Sequence, residues 1–305
     1  MKLLIGLTVF TLAVEMAFYN NKQGEPSAQG KEYFFCFGVF ADAQYCDCEP
    51  SGTRFYRNSL LKLNNALQSF REAEVSFVIN LGDLIEKDYD SFGPVMDAIN
   101  KSGIKIHHVA GNHDFSVEQK DKKHVLQLLT GGKKGYYSFV NGKFRFIVLD
   151  GTEISTYGPG KKSIIKNAEF MISQIREAGD PNWHEWNGGI SSVQLFWLRK
   201  QLDEAIASEE KVFIICHFPV WPENEHNLFN YREVIDLLKN YPNIIAFFSG
   251  HNHAGNYGNT NMIHFVNFKG MVETDELNSY AIVEVYRNKI WIKGFGRERS
   301  MILAY

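Results

Sequence analysis

Five short stretches of this chain, Asp42-Ala43-Gln44, Gly82-Asp83, Gly111-Asn112-His113-Asp114, Cys216-His217 and Gly250-His251-Asn252-His253, each close an apolar run and together offer carboxylate, amide and imidazole donors. Mixed oxygen and nitrogen donors suit Mn2+, Fe2+ or Zn2+ better than an all-oxygen Ca2+ cage. Two such cations roughly 3.5 to 4 Å apart lower the pKa of a shared water and neutralise phosphoryl oxygens, the chemistry of phosphoester hydrolysis. One stretch alone says little, because a lone Gly-Asp after a strand is usually a turn or a helix cap. Five in one chain, with histidine in the last two, form a ligand set. A sixth stretch, Lys293-Gly294-Phe295-Gly296-Arg297, closes the series.

Positioning these side chains requires strands that deliver them to one edge. Short β-branched or aromatic runs predict strands over 33–40, 75–81, 104–110, 135–140, 144–149, 212–216, 244–249, 262–268, 280–286 and 289–293. Apolar residues three and four apart predict helices over 56–72, 92–101, 167–177, 192–208 and 231–240. Early strands alternate with helices and later strands follow one another, so the expected class is α/β (α+β), with a sheet-on-sheet core and helices outside. Each candidate ligand follows a strand directly, where α/β folds gather catalytic groups. Gly82, Gly111 and Gly250 would let the backbone turn sharply and approach a ligand closely. The segment 151–190 is the least regular and is expected to be an insertion near the active face.

The chain has 305 residues, 45% of them apolar and 22% charged, enough for one large catalytic domain over 32–305. A formal net charge of -3 and a pI near 6.4 give no general attraction for a polymeric nucleic acid. Met1-Lys2 followed by an apolar run to Val14 and a polar stretch to Lys31 reads as a leader, a signal sequence for export or an N-terminal tether. It is too short to span a bilayer comfortably, and a cytoplasmic chain is the alternative. Cys36 and Cys216 fall inside predicted strands and read as small buried hydrophobes, whereas Cys46 and Cys48 flank one aspartate, a spacing too tight for an ordinary disulfide between them.

The ordered set Asp-x-Gln, Gly-Asp, Gly-Asn-His-Asp, His and Gly-His-x-His resembles the calcineurin-like metallophosphoesterases from about Tyr33 to the end of the chain. Most of that superfamily has Asp-x-His at the first motif, where this chain has Gln44. The departure is similar to the subgroup of manganese-dependent ADP-ribose/CDP-alcohol diphosphatases. So are Gly52-Thr53-Arg54-Phe55-Tyr56-Arg57-Asn58-Ser59, Asn187-Gly188-Gly189, His217-Phe218-Pro219-Val220-Trp221-Pro222, Asn230-Tyr231-Arg232 and the closing Lys293 to Arg297 stretch. The resemblance implies a metallophosphoesterase-type two-sheet β-sandwich core flanked by helices, four layers in the order α/β/β/α.

By the same resemblance, Asp42, Gln44 and His253 would bind one metal, Asn112, His217 and His251 the other, and Asp83 would bridge them. The ions implied are two divalent cations, Mn2+ first and Fe2+, Zn2+ or Mg2+ as alternatives. Gln44 is neutral and a weaker donor than imidazole, so the first metal is expected to exchange more readily. Purple acid phosphatases place a tyrosine where this chain has Glu86, which argues against an iron-tyrosinate centre. His113 has no metal to bind in this scheme and is expected to protonate the departing oxygen. Arg54, Arg57, Tyr231 and Arg232 are candidates for substrate binding, a guanidinium gripping the second phosphate bidentately. Tyr45, Phe55, Tyr56, Trp221 and Tyr257 are candidates for stacking on a nucleobase, with core packing as the bland reading. His107, His108, His124, His184, His226 and His264 match no motif and read as structural or exposed.

The implied reaction is cleavage of the pyrophosphate of small nucleoside diphosphate derivatives, ADP-ribose or CDP-alcohols, by a monomer. The rivals are a phosphomonoesterase or phosphodiesterase of the same superfamily and a scaffold that keeps the fold without catalysis. A complete ligand set with His113 beside it speaks against the scaffold.

Overall fold

In the computed structural model residues 32–305 are described, so the leader and polar stretch over 1–31 lie outside the described residues. In chain order the elements are β1 (Tyr33–Phe40), α1 (Asn58–Glu72), β2 (Val78–Asn80), α2 (Phe92–Ser102), β3 (Ile106–His108), α3 (Lys122–Thr130), β4 (Tyr137–Asn141), β5 (Phe144–Val148), α4 (Lys162–Glu177), α5 (Ser192–Ala207), β6 (Lys211–Ile215), α6 (Tyr231–Leu238), β7 (Ile244–Ser249), β8 (Asn256–Thr260), β9 (Ile263–Asn267), β10 (Ser279–Tyr286), β11 (Lys289–Gly296) and β12 (Met301–Ala304). They form two six-stranded sheets, in the orders β12-β11-β10-β1-β2-β3 and β4-β5-β6-β7-β9-β8. In the first, β1, β2 and β3 run parallel at one end and β10, β11 and β12 pair antiparallel at the other; in the second, β5, β6, β7 and β9 run parallel between the antiparallel edges β4 and β8.

Side-chain alternation explains the layering. Along β1, Phe35, Phe37 and Val39 face the other sheet, where they meet Phe146, Phe213 and Phe248, while Cys36 and Phe40 face the helices. Along β6, Phe213 and Ile215 point inward, and Val212, Ile214 and Cys216 point outward. A strand buried on both faces must be apolar at nearly every position, which is why these runs read as continuous in the sequence. Helices α1 to α3 cover one sheet through Leu63, Leu67, Phe70, Val95, Ile99, Val125 and Leu129. Helices α5 and α6 cover the other through Leu198, Leu202, Val234 and Leu238. In α1 the buried set Leu63, Ala66, Leu67 and Phe70 follows the three-and-four spacing of one helical face. Gly38 lets that helix sit close, since a β-carbon there would meet the Phe70 ring at 2.7 Å. The four-layer α/β/β/α sandwich expected from the sequence is therefore the observed fold.

Differences from the predicted elements have local causes. The expected strands over 75–81 and 104–110 shorten to β2 and β3, although the flanking backbone still pairs, Leu81 N–H donating to the Phe40 carbonyl and Val109 N–H to the Asn80 carbonyl. Strand β8 was not expected: Asn256 to Thr260 has no apolar run and is held as an edge by pairing with β9. Helix α3 supplies order that the sequence does not announce, whereas the helix expected over 167–177 is present and starts five residues earlier, as α4, inside the segment expected to be irregular. Among the described residues, no helix is long and apolar enough to cross a membrane.

Cys46 and Cys48 correct a second expectation. They form a disulfide, with Cα atoms 5.2 Å apart, inside the usual bonding range. An extended chain would separate such residues by about 7 Å; here the loop bends so that the intervening Asp47 projects outward to Arg57. Cys36 and Cys216 are free and buried, as expected.

Candidate metal centre

The sequence-predicted ligands come together at one edge of the sandwich. Asp42 and Gln44 lie just beyond β1, Asp83 beyond β2 and Asn112 beyond β3, all in one sheet. His217 lies beyond β6, and His251 and His253 beyond β7, in the other. Both sheets must therefore be in register for the set to exist. Asp83, His217 and His251 offer donor atoms that all lie within 4.8 Å of one another. Asp83 Oδ2 is 3.3 Å from His217 Nε2 and accepts from Gln44 Nε2 at 3.3 Å. Asn112 Oδ1 is 3.3 Å from His217 Nε2, and Asp42 Oδ1 is 3.5 Å from His253 Nε2.

Backbone geometry aims these groups. Asp42, Gln44, Asp83 and His251 all have positive φ, between 44° and 70°, which L-residues with a β-carbon rarely adopt. Such conformations cost about 1 to 3 kcal/mol each and persist where surrounding structure fixes them, typically at functional sites. Glycines provide the room. A β-carbon at Gly111 would strike Asp83 Oδ1 at 2.2 Å, at Gly82 it would meet His217 Nδ1 at 2.5 Å, and at Gly250 it would meet Asp42 Oδ2 at 2.7 Å. The expectation that these three positions serve close approach thus has a specific contact behind it, and only Gly82 also needs positive φ.

Each histidine of the set has one ring nitrogen tied to a partner behind it. His217 Nδ1 donates to the Leu81 carbonyl at 2.8 Å, His251 Nε2 to Asn187 Oδ1 at 3.0 Å, and His253 Nδ1 to Glu273 Oε1 at 2.8 Å. Such a partner fixes the tautomer and ring orientation of a metal-ligating imidazole, leaving the other nitrogen as donor. Asn187 is itself clamped, its Nδ2 donating to the carbonyls of Asn182 and Glu225. Arg297 donates to the Gly270 carbonyl beside the His253 ring, which gives the closing motif of the chain a supporting place.

Electrostatics follow from this crowding of buried groups. Burial opposes charge on Asp83, but His217 and His113 outweigh it and hold the carboxyl well below the usual range. Burial likewise opposes charge on His217 and His253, yet Asp83 lifts the first and Asp42 with Glu273 the second, each to about 9. His251 is driven well below its ordinary value by burial and then by His217, so its ring is neutral. Gln44 has no surface exposure, and its Oε1 has no hydrogen-bond partner. A buried oxygen without a partner is unfavourable unless something else satisfies it. Together with two buried carboxylates and three oriented imidazoles, it fits a pair of divalent cations.

His113 stands beside this set. Its backbone N–H donates to Asp83 Oδ1 at 2.7 Å, and its Nδ1 lies 3.1 Å from a Glu86 carboxylate oxygen. Burial pulls its pKa down, but Asp83 and Glu86 raise it overall. Asp114, fully buried, accepts from the backbone N–H groups of Asp83, Leu84, Ile85 and Gly111 and so shapes the two loops that carry Asp83 and Asn112. Sequence reasoning assigned no role to Asp114, Asn187 or Glu273; the first two stood within quoted motifs, and Glu273 carried no local signal.

The donors open onto a cavity of about 530 Å3 lined by Gln44, Arg54, Asp83, Asn112, His113, Ser116, Tyr157, Trp186, His226, His251 and His253. Of the four substrate candidates only Arg54 lines it, with Nε 3.8 Å from Glu273. Arg57 is instead engaged by Asp47 and Glu49 at the surface. Arg232 is engaged by Asp180 and Glu223, and the Tyr231 hydroxyl donates to Glu223. The five candidate stacking aromatics are absent from the lining too: Tyr56 packs with Cys46 and Val272, Trp221 packs on the outer core, and Tyr257 bonds His264. Asn230 exchanges two hydrogen bonds with the backbone of Ile190, a scaffolding role. His107, stacked on Phe139, His108 and His264 are structural as expected, whereas His226 corrects that reading by lining the cavity.

Comparison with known proteins places this geometry. The calcineurin-like phosphoesterase profile matches residues 37–255. A manganese-dependent ADP-ribose/CDP-alcohol diphosphatase of Homo sapiens is 30% identical, covering 92% of this chain and 96% of that protein. One of Xenopus laevis is 29% identical over 92% of this chain and 93% of its own length. A dimetal phosphatase from Danio rerio, known as a crystal structure, superposes with a TM-score of 0.80 at 25% identity, covering 90% of this chain and all of that one.

Proposed function

The chain belongs to the calcineurin-like phosphoesterase family, and from that premise we propose that it is a metal-dependent hydrolase of the pyrophosphate bond in nucleoside diphosphate derivatives. ADP-ribose would yield AMP and ribose 5-phosphate, and CDP-alcohols would yield CMP and a phospho-alcohol. The observation that carries this reading is likeness over nearly the whole length of both chains to proteins named for that reaction. Gln44 agrees with it, standing at the first motif where most of the superfamily has histidine.

Asp42, Gln44 and His253 would hold one divalent cation, Asn112, His217 and His251 a second, and Asp83 both. Manganese is the ion named for the relatives. When bound, such a pair supplies Lewis-acid charge that activates water and offsets the charge on phosphoryl oxygens. The side chains around it have distinct tasks. Asp83 and Glu86 favour the charged form of His113, and Glu86 engages its Nδ1, which leaves Nε2 for the substrate. As the anhydride P–O bond breaks, its electron pair stays on the departing oxygen, and the His113 proton neutralises that charge. Arg54 borders the same cavity, where its guanidinium binds the phosphate that is not attacked.

Metal-stripped protein reloaded with Mn2+, Mg2+ or Zn2+ and offered ADP-ribose, CDP-choline, cyclic nucleotides and p-nitrophenyl phosphate tests this function. Turnover should be greatest with Mn2+ on the first two substrates. Preference for p-nitrophenyl phosphate or a cyclic nucleotide would reassign the protein to another branch of the family.

A further inference from the structure

Nothing in the metal set recognises a nucleobase, yet a nucleoside diphosphate carries one, and the cavity has a single indole in its wall, that of Trp186. This ring ends a stack. Arg176 lies over Trp183 at 4.3 Å, Trp183 contacts the His184 ring at 4.3 Å, and His184 lies against Trp186 at 4.5 Å with the planes 7° apart. His184 covers one face of the indole, and Trp186 borders the cavity. Its remaining ring neighbours are His226 at 5.0 Å and the metal-set histidine His251 at 5.1 Å, both tilted. Asn187, the next residue, is anchored by His251 and two backbone carbonyls, which fixes the position of Trp186 along the chain.

Resting on the diphosphatase reading, we propose that Trp186 is the stacking platform for the nucleobase and sets the preference for nucleoside diphosphates over diphosphates lacking a base. The two ends of the cavity then divide the substrate. Arg54 stands toward Glu273 and His253, and Trp186 stands against His251. A diphosphate laid across the donors would place one phosphate near the guanidinium and its nucleoside on the indole. An aromatic face accepts purine and pyrimidine alike, because every base has a π-face, which accounts for one site taking both adenosine and cytidine compounds. Tyr45, Phe55, Tyr56, Trp221 and Tyr257 are not among the residues lining this cavity.

The decisive measurement compares binding of AMP and of ribose 5-phosphate, which differ by the base, to the Mn2+-loaded protein by calorimetry. Wild-type protein should prefer AMP, Trp186→Ala should lose about tenfold or more of AMP affinity with ribose 5-phosphate little changed, and Trp186→Phe should recover most of the loss. AMP should also quench the emission of wild-type protein more than that of Trp186→Phe, a readout independent of turnover. If wild-type protein shows no preference for AMP, the platform is overturned, while turnover of ADP-ribose decides the diphosphatase reading separately. If the preference exists and survives in Trp186→Ala, the diphosphatase reading stands and the platform is overturned. Loss of both ligands in Trp186→Ala would report a collapsed His251; Trp186→Phe then decides, and weak AMP binding there with ribose 5-phosphate retained rejects the proposal.

Discussion

The floor of the site and its rim are built on different principles. The floor holds Asp42, Gln44, Asp83 and His217, each without surface exposure, at the ends of strands from both sheets. The rim holds Arg54, Trp186 and His226, all partly exposed and carried on loops. Around that floor every histidine of the metal set is oriented by a second group, Leu81 behind His217, Asn187 behind His251 and Glu273 behind His253. On the rim Arg54 has one distant carboxylate and Trp186 a stack of rings. The difference teaches that metal chemistry tolerates little displacement and is placed on rigid elements, while substrate selection resides where the chain can vary.

The strongest way to break this contrast is at its centre. Asp83→Asn keeps the shape but removes the charge that two cations would share, so bound manganese should fall away and kcat/KM should drop on the order of a thousandfold. Metal analysis beside steady-state kinetics checks it, and full retention of manganese would mean that Asp83 is no bridge. His113→Ala should separate the functions, lowering kcat by about a hundredfold or more with metal content unchanged. Near-normal turnover in that variant would remove the acid from the mechanism.

Support behind the donors gives the next effects. Asn187→Leu and Glu273→Gln should each weaken manganese binding by about 10- to 100-fold, followed by electron paramagnetic resonance titration. Loading should also release protons. His217 and His253 carry folded-state values of about 9, above the ordinary 6.5, so at about pH 7.5 the metal-free protein holds both protonated, and binding must displace up to about two protons. The sign is fixed by the direction of those shifts. Release shrinks as pH rises through about 9, and the stabilisation that protonation gives the metal-free fold is lost over the same range. Calorimetry in buffers of different ionisation enthalpy measures the release, and a value near zero at neutral pH would contradict the charge pattern.

Much of the floor was legible in the sequence, and the reason is chemical. Carboxylate, amide and imidazole recur together at successive strand ends, where one alone would read as a turn, and Gly82, Gly111 and Gly250 sit where any β-carbon would strike a donor. The core strands were legible because Phe213 to Ile215 and its neighbours are buried on both faces. What escaped reading depends on tertiary contact. Asn256 to Thr260 becomes a strand only through its partner β9, and Glu273 becomes the partner of His253 only when the chain returns. Trp186 has no such local signal, because only the folded loop brings its ring against His251. Cys46 and Cys48 were misjudged by assuming an extended chain where the loop bends.

Three arginines give the smallest effects and sharpen the boundary of the rim. All three lie near motifs, and the sequence offers no ground for choosing among them. In the structure Arg54 borders the cavity, whereas Arg57 is engaged by Asp47 and Glu49, and Arg232 by Asp180 and Glu223, outside its lining. Exposed ion pairs of this kind are screened by solvent and contribute little to stability, so Arg57→Ala and Arg232→Ala should fold normally. Their KM for ADP-ribose should change by less than about threefold, because neither guanidinium reaches the donors, while Arg54→Ala should raise it by about tenfold through loss of a charge-assisted bond to phosphate. Arg54→Lys separates charge from fork geometry: a point charge would restore part of the loss, and a bidentate grip would not be restored. Should Arg232→Ala raise KM as much as Arg54→Ala does, the rim extends past the cavity wall and includes the start of α6.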